Sequence, residues 1–171
     1  MNRHATAGNV TLEHSLSLLV FIALNALTAL SGAVFRPGDW YETLNKPPWQ
    51  PPKWLFAPVW MVLYGMIAVA GWMIWRVAGA EAGAVALGVY GVQLVLNFCW
   101  SWIFFGQRRP DLAMLEVVAL WLSVAATIAL FHPIHPPAAW LLLPYLAWVS
   151  FAGVLNFSIW RRNPRGLPAS G

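Results

Sequence analysis

Residues 112–131 read LAMLEVVALWLSVAATIALF, and Glu116 is the only charged side chain among them. A helix needs about 20 mostly apolar residues to cross the hydrocarbon core of a bilayer, and this run meets that requirement. Four further runs share its character, and the five predicted spans cover residues 16–35, 55–77, 84–105, 112–131 and 139–160. Strands of a membrane barrel would be about 10 residues long and would alternate in polarity, unlike these runs. The sequence predicts an all-α integral membrane protein, a bundle of five transmembrane helices.

The composition of the chain excludes several other classes of protein. Of its 171 residues, 60% are hydrophobic and 9% are charged, whereas a soluble domain carries about 25% charged residues. So few charges cannot cover a water-facing surface, and the high hydrophobicity excludes intrinsic disorder. The net charge of +4 is small and gives no support to nucleic-acid binding. Cys99 is the only cysteine, so no disulfide framework is expected. We predict one membrane domain over residues 1–171.

The first run has a second interpretation. Arg3 precedes it and small residues lie at 29–33, which is the pattern of a cleaved signal peptide. The run is longer than the apolar region of such a peptide, however, and it contains Asn25 and Thr28, which are typical of packing or pocket positions. We therefore interpret it as a membrane span.

The distribution of Lys and Arg predicts the orientation of the chain. With five spans, the N-terminus and the loops after the second and fourth spans share one side, which carries Arg3 and Arg76. The other side carries eight basic residues, namely Arg36, Lys46, Lys53, Arg108, Arg109, Arg161, Arg162 and Arg165. Because basic loops stay in the cytoplasm, we predict that the C-terminus and the first loop are cytoplasmic and that the N-terminus is outside. The charge bias does not identify the membrane.

The connection between the first two spans, residues 36–54, is longer than the others. It reads RPGDWYETLNKPPWQPPKW and combines five prolines and three tryptophans with both signs of charge. Proline restricts the backbone and aromatic rings offer a large rigid surface, so we predict that this segment, the lid, folds over the mouth of the bundle. The alternative is an anchor in the headgroup layer. The lid residues predicted to contact a ligand are Arg36, Trp40, Lys46, Trp49 and Lys53.

Polar and aromatic residues follow helical spacing in three of the spans. Residues at i, i+3, i+4 and i+7 share a helix face. Such faces comprise Trp60, Tyr64, Gly71 and Trp75 in the second span, Gln93, Asn97, Trp100 and Phe104 in the third, and Tyr145, Trp148, Ala152 and Asn156 in the fifth. Polar groups in hydrocarbon usually point into the bundle, so these faces predict an aromatic pocket for a flat apolar ligand. The alternative is that the amides only link neighbouring helices and the rings fill the core.

Two further patterns predict packing. Glu116 lies about one turn inside the fourth span and is expected to extend towards the headgroups. Small residues recur at Ala80, Ala84, Gly88 and Gly91. Such residues let helices approach closely, and they predict either a homodimer contact or tight packing within one chain.

The chain lacks the patterns of several known chemistries. His132 and His135 lie in a Pro-rich segment without acidic neighbours, on the same side as His4 and His14, so no metal site is predicted. No Ser-His-Asp order, phosphate loop or paired carboxylates are present, which excludes conventional hydrolysis and phosphoryl transfer. Five spans do not divide into two equal halves, which argues against coupled transport by alternating access.

Several short motifs rich in Trp, Pro and Tyr are spread over nearly the whole chain. They are WYETL at 40–44, KPPWQPP at 46–52, FAPVW at 56–60, QLVLN at 93–97, FFG at 104–106, PYLAW at 144–148 and LN at 155–156. In this combination the chain resembles the translocator protein (TspO/MBR) family, also called tryptophan-rich sensory proteins and once known as the peripheral benzodiazepine receptor.

The resemblance implies a five-helix protein, commonly a homodimer, with a pocket closed by the first loop and no required cofactor. Family members bind porphyrins, including protoporphyrin IX and haem, and synthetic isoquinoline carboxamide or benzodiazepine ligands. It therefore implies a membrane receptor for porphyrins that acts in tetrapyrrole regulation, sensing or carriage. The alternative is an enzyme that degrades porphyrins in light with the help of Trp60 and Trp148. A carrier of sterols or other small molecules is a third candidate.

The resemblance also implies which residues line the pocket. They are Trp60, Tyr64, Asn97, Trp100, Tyr145, Trp148 and Ala152. Two positions depart from the family pattern. The family's sterol motif needs Tyr where this chain has Phe157, and Leu112 replaces a tryptophan that some mammalian members use. Weaker binding of sterols and synthetic drugs is therefore expected.

Overall fold

Seven helices build the part of the chain that the computed structural model describes, which is residues 3–163, with side chains from residue 15 onward. They are α1 (Arg3–Val34), α2 (Asp39–Thr43), α3 (Phe56–Ala82), α4 (Ala84–Ser101), α5 (Pro110–Ile134), α6 (Pro136–Leu141) and α7 (Leu143–Arg162). A 3₁₀ turn (Lys53–Leu55) leads into α3, and a π-helical turn (Trp102–Gly106) extends α4.

Five segments of this helical structure are long and apolar enough to cross a membrane. They are Ser15–Val34, Lys53–Ala82, Ala84–Gly106, Pro110–Ile134 and Pro136–Arg162. No strand occurs in the described residues. The prediction of an all-α protein with five membrane-spanning helices is confirmed, and a multi-pass membrane protein follows from it.

The helix ends differ from the predicted boundaries, most clearly at the first helix and between the last two spans. The first helix begins at Arg3 rather than near residue 16. The predicted spans leave residues 132–138 as a connection, but α5 continues through Pro133 to Ile134, and α6 begins at Pro136. Proline fits the first turn of a helix because its missing N–H would have no helical partner there. Only His135 is non-helical between the two helices.

One end of the bundle is closed where α1 crosses α3 and α4. The Phe21 ring packs edge-on against Tyr90, with ring centroids 5.8 Å apart. The amide of Asn25 donates a 2.7 Å hydrogen bond to the Tyr90 hydroxyl, and the indole of Trp72 donates to the Ser17 hydroxyl at 3.2 Å. Both hydrogen bonds connect α1 to the other helices inside the apolar layer, where polar groups have few other partners.

Glu116 does not extend towards the headgroups as predicted. It is buried on α5, with only 9% of its surface exposed, and its two carboxylate oxygens have no hydrogen-bond partner among the described residues. The reason is that α5 packs against both α4 and α7, so this position lies between helices rather than beside lipid. An ionised carboxylate without a partner is costly in such a place.

The small residues predicted to form a close contact lie mostly on the outside of the chain. Ala80, Ala84 and Gly88 are exposed, and Gly91 is half-buried. A Cβ atom added at Gly88 or Gly91 would meet nothing within 4 Å. Tight packing within one chain is thus not the role of the three exposed residues, and the homodimer contact stays a prediction.

Candidate functional site

A cavity of about 760 Å³ lies inside the bundle at the end where the lid connects α1 to α3. Helices α1, α3, α4, α5 and α7 form its wall, and the lid supplies Pro37, Tyr41, Gln50 and Lys53. The lid therefore covers one end of the cavity. Trp54 does not line it and is 71% exposed, a position typical of the headgroup layer.

Helix α2 holds the lid in place, although this segment was predicted to be a loop. Trp40 and Tyr41 are both buried and pack against Phe104 in the π-helical turn, with ring centroids 6.0 and 6.2 Å apart. Tyr41 also contacts Phe105 at 5.5 Å, and the amide of Gln50 donates a 3.0 Å hydrogen bond to the Tyr41 hydroxyl. The lid thus has an apolar underside that packs on the bundle.

A second attachment joins the lid to the last helix. The backbone N–H of Asn45 donates to the Asn163 side-chain oxygen at 3.0 Å. In return, the Asn163 amide donates to the backbone oxygen of Asn45 at 3.1 Å and to that of Ile159 at 2.7 Å. Asn163 follows directly on α7, so this reciprocal pair ties the lid to the C-terminal end of the bundle.

The lysines of the lid take part in an ionic cluster around Glu42. The Lys46 ammonium donates to the backbone oxygen of Tyr41 at 2.6 Å and lies 3.8 Å from the Glu42 carboxylate. The Lys53 ammonium pairs directly with Glu42, and this hydrogen bond lowers the pKa of Glu42 below its ordinary value. Lys46 therefore stabilises the lid itself, whereas Lys53 also lines the cavity.

Aromatic rings form the deep part of the cavity wall. Trp60 stacks on Tyr64 with centroids 5.3 Å apart, and it meets Tyr145 and Trp148 edge-on at 6.2 and 6.5 Å. Trp148 is further held by Phe56, at 5.7 Å. On the opposite helix Trp100 stacks on Phe104 at 5.1 Å. Rings that are fixed by their neighbours in this way present a rigid apolar surface to a ligand.

A chain of hydrogen bonds runs behind these rings. The Tyr64 hydroxyl donates to the Asn97 side-chain oxygen at 2.7 Å, and the Asn97 amide donates to the Tyr145 hydroxyl at 2.9 Å. The Tyr145 hydroxyl then donates to the side-chain oxygen of Gln93 at 2.9 Å. Because the Tyr64 hydroxyl donates its hydrogen to Asn97, the Tyr64 oxygen can only accept a hydrogen bond from a ligand in the cavity.

The comparisons with known proteins agree on one family. The model of the TspO/MBR family matches residues 17–161. The chain is 41% identical to the translocator protein of Bos taurus over 148 residues, which is 84% of this chain and 88% of that protein. It is 40% identical to protein CrtK of Rhodobacter capsulatus over 153 residues (87% and 94%) and 40% identical to the tryptophan-rich sensory protein of Cereibacter sphaeroides over 145 residues (85% and 90%). The chain belongs to the TspO/MBR family.

The structure brings most of the pocket residues predicted from the TspO/MBR resemblance to one cavity. The lining includes Trp60, Tyr64, Asn97, Trp100, Trp148 and Ala152. Tyr145 does not line the cavity, because its side chain is fully buried next to Trp60, and its predicted contact with a ligand stays a prediction.

Four of the five lid residues predicted to contact a ligand do not line the cavity, and each is occupied elsewhere. Trp40 packs under the lid and Lys46 binds backbone oxygens. The Arg36 guanidinium is exposed and donates to the backbone oxygen of Ala33 at 2.8 Å. Trp49 is 46% exposed and packs against Phe151. Spacing along a loop does not reveal which side chains turn inward, and the predicted ligand contacts of these four residues stay predictions.

Some lining residues were not predicted. From α1 they are Ile22, Ala26, Ala29, Gly32 and Ala33, with Phe35 directly after this helix, and from α3 they include Met61 and Gly65. The available signal was the spacing of small residues in the first span, at positions 26, 29 and 33. That spacing places them on one helix face, but small residues in a membrane span are usually interpreted as helix–helix contacts and not as the wall of a cavity.

Two other predictions, on a metal site and on the orientation of the chain, concern residues of this TspO/MBR chain that lie partly outside the described ones. No three His, Cys, Asp or Glu side chains cluster among the described side chains. His4, His14 and Arg3 lie before those side chains, and Arg165 lies after the described residues. The predicted orientation of the chain depends partly on these residues and stays a prediction.

The lid is expected to lose stability at high pH. Burial, with a contribution from Glu42, raises the pKa of Tyr41 from 10 to about 12, although the Gln50 hydrogen bond opposes the shift. The neutral phenol therefore contributes its full stabilisation below about pH 10 and loses it as the pH rises towards about 12. Thermal unfolding at about pH 9 and about pH 11 should show wild type losing more stability than Tyr41→Phe. Equal losses in both proteins would contradict the assignment.

Proposed function

We propose that this membrane protein binds porphyrins, with protoporphyrin IX or haem as the model ligands, and acts in tetrapyrrole sensing, regulation or carriage. The observation that carries the proposal is the cavity of about 760 Å³ lined by tryptophans from three helices, namely Trp60, Trp100 and Trp148. Pockets for small molecules measure about 300–1,000 Å³ and are mostly apolar with a few polar groups. A planar macrocycle suits this shape because it stacks on rings and needs few hydrogen bonds.

The polar groups of the cavity are sparse and suit the periphery of such a ligand. Lys53 at the lid end already pairs with Glu42, but its ammonium has three N–H groups and can also donate a charge-assisted hydrogen bond to a ligand carboxylate. Asn97 and the Tyr64 oxygen lie deeper on the wall. Among the described residues the lining contains no His or Cys, so stacking rather than axial ligation of a metal would hold the macrocycle. Isoquinoline carboxamide or benzodiazepine-type compounds are further ligands by the same criteria of flatness and apolarity.

A light-dependent degradation of the porphyrin is the second candidate function. Trp60 is surrounded by three other electron-rich rings, those of Tyr64, Tyr145 and Trp148. An excited macrocycle stacked on Trp60 would be within reach of a side chain that can give up an electron, with dioxygen as the oxidant. Binding needs only an aromatic surface at this position, whereas this chemistry needs the indole.

A titration with protoporphyrin IX tests both functions. Tryptophan fluorescence in the dark should fall in a saturable manner, and porphyrin absorbance under light should fall only if the protein degrades its ligand. Trp60→Phe and Trp148→Phe should keep binding within about threefold, a change of under about 1 kcal/mol, because a ring remains. Trp140→Phe is the matched control, since Trp140 is 60% exposed and does not line the cavity.

The outcomes separate the candidates. Saturable binding with protein-dependent bleaching that both pocket variants lose indicates the degradative function. Saturable binding without bleaching indicates a receptor or carrier. Absence of saturable quenching in wild type would refute porphyrin binding by this cavity.

A further inference from the structure

The cavity is open on one side, between α1 and α3. On α3, the residues Ala57, Met61 and Gly65 follow one another at intervals of four, line the cavity and are exposed, with Met61 at 75%. The neighbouring stripe of Trp60 and Tyr64 faces the interior. Because residues spaced by four lie along one helix face, the exposed stripe forms an edge of the opening.

The opposite edge belongs to α1 and consists of small residues. Ala26 and Gly32 are exposed, Ala29 is half-buried, and all three line the cavity. A Cβ atom added at Gly32 or at Gly65 would meet nothing within 4 Å. The opening between these α1 residues and Ala57, Met61 and Gly65 is called the slot below. It contains no polar side chain.

The slot is bounded at both ends, which distinguishes it from a loose helix pair. Towards the closed end of the bundle, α1 and α3 are in contact at Phe21 and Gly71, where an added Cβ would lie 2.8 Å from the Phe21 ring. Towards the other end, Tyr41 and Gln50 of the lid cover the cavity and are bonded to each other. The open side of the cavity therefore faces the hydrocarbon of the bilayer, since both helices are membrane spans.

The charges of the cavity limit the number of acidic groups that a ligand can bury. Lys53 is the only charged residue among the described residues of the lining, and its ammonium is already paired with Glu42. A buried carboxylate without a cationic partner is costly. The cavity therefore offers a cation to one carboxylate of a ring compound, and it offers a second substituent a wholly apolar exit.

We propose that the ligand has a ring system that occupies the cavity and an aliphatic tail, of the isoprenoid or long-chain alkyl class, that passes through the slot into the bilayer. This inference rests on the proposed function and narrows it to tetrapyrrole esters with a long alcohol. The tail remains in hydrocarbon throughout, so its apolar surface is never exposed to water. Such a ligand would reach the cavity sideways from the bilayer while the lid stays closed.

The test uses two esters of one metal-free chlorin acid, the methyl ester and the phytyl ester, which differ only in the tail. Each is titrated into the full-length protein in nanodiscs of fixed lipid composition, and binding is followed by tryptophan quenching. Ala26→Phe and Gly65→Phe fill the slot from its two sides. Ala23→Phe is the matched control, because Ala23 is exposed on the same helix and does not line the cavity.

Both slot variants are expected to weaken binding of the phytyl ester about tenfold more than binding of the methyl ester, and the control changes neither. Comparing each variant with wild type for one ligand removes differences in how the two esters partition into lipid. Retained binding of the methyl ester also shows that a variant is folded.

Three results would overturn the inference. The first is that the slot variants weaken binding of both esters equally. The second is that they leave binding of the phytyl ester unchanged, which would mean that bilayer lipid occupies the slot. The third is that wild type binds the methyl ester alone. In each of these cases porphyrin binding by the cavity stands. If neither ester binds wild type, the proposed function fails and this inference fails with it.

Discussion

Replacing Trp148 with alanine is expected to weaken protoporphyrin IX binding by more than tenfold, which corresponds to about 1.4 kcal/mol. The Trp148 ring meets Trp60 edge-on at 6.5 Å and Phe56 at 5.7 Å, and it packs against Phe151 at 5.4 Å. Its loss removes a stacking surface and also frees three neighbouring rings to move into the space. The dissociation constant, measured by quenching of the remaining tryptophans, gives the effect directly.

The contribution of the ring itself can be separated from that of the indole. Trp148→Phe keeps an aromatic surface and should lose much less affinity than Trp148→Ala. Trp140→Ala removes an exposed tryptophan outside the cavity and should leave the dissociation constant unchanged. Unchanged affinity in Trp148→Ala would remove this residue from the binding site.

Substitution of Gly71 by alanine is expected to destabilise the protein by about 1–3 kcal/mol, a typical cost of overpacking. An added Cβ would lie 2.8 Å from both the Phe21 and the Tyr90 rings. Neither ring moves freely, because the two pack on each other and the Tyr90 hydroxyl accepts a hydrogen bond from Asn25. The contact between α1, α3 and α4 would have to open. Thermal unfolding in detergent should show a lower melting temperature.

Gly65→Ala on the same helix provides a control with the opposite sign. An added Cβ at Gly65 meets nothing within 4 Å, so the substitution should only improve helix formation, by about 0.5–1 kcal/mol. If Gly71→Ala and Gly65→Ala both changed the stability in the same direction, helix propensity, and not the crossing of α1 over α3, would control stability at these positions.

The sequence was sufficient to predict features that depend on local pattern. The five apolar runs predicted the spans, and helical spacing placed Trp60 and Tyr64 on one inward face and Trp148 on another. These predictions succeed because length and periodicity are properties of a single helix. The break of α3 at Gly79, with a φ of +68°, likewise lies within a few residues of the predicted end of that span.

Features that depend on how helices meet could not be predicted in the same way. Helix α5 has apolar residues all round its axis, with Glu116, Ser123 and Thr127 as the few polar ones in its middle. Its apolar pattern therefore does not separate lipid-facing from helix-facing positions, and the burial of Glu116 was missed. The slot arises because α1 contacts α3 at Gly71 and is separated from it at Gly65, and no single segment encodes that divergence. In the lid, the direction of each side chain depends on α2, which is too short to show a period.

The reciprocal hydrogen bonds between Asn45 and Asn163 have a consequence for biosynthesis. The two residues are 118 positions apart, and the lid leaves the ribosome early while its partner leaves near the end. Trp148, on the same last helix, is also made late. The binding compartment is therefore completed only when the final span has entered the bilayer, and in a chain that stops short of α7 the lid is held only by its packing on Phe104 and Phe105 and the wall is unfinished.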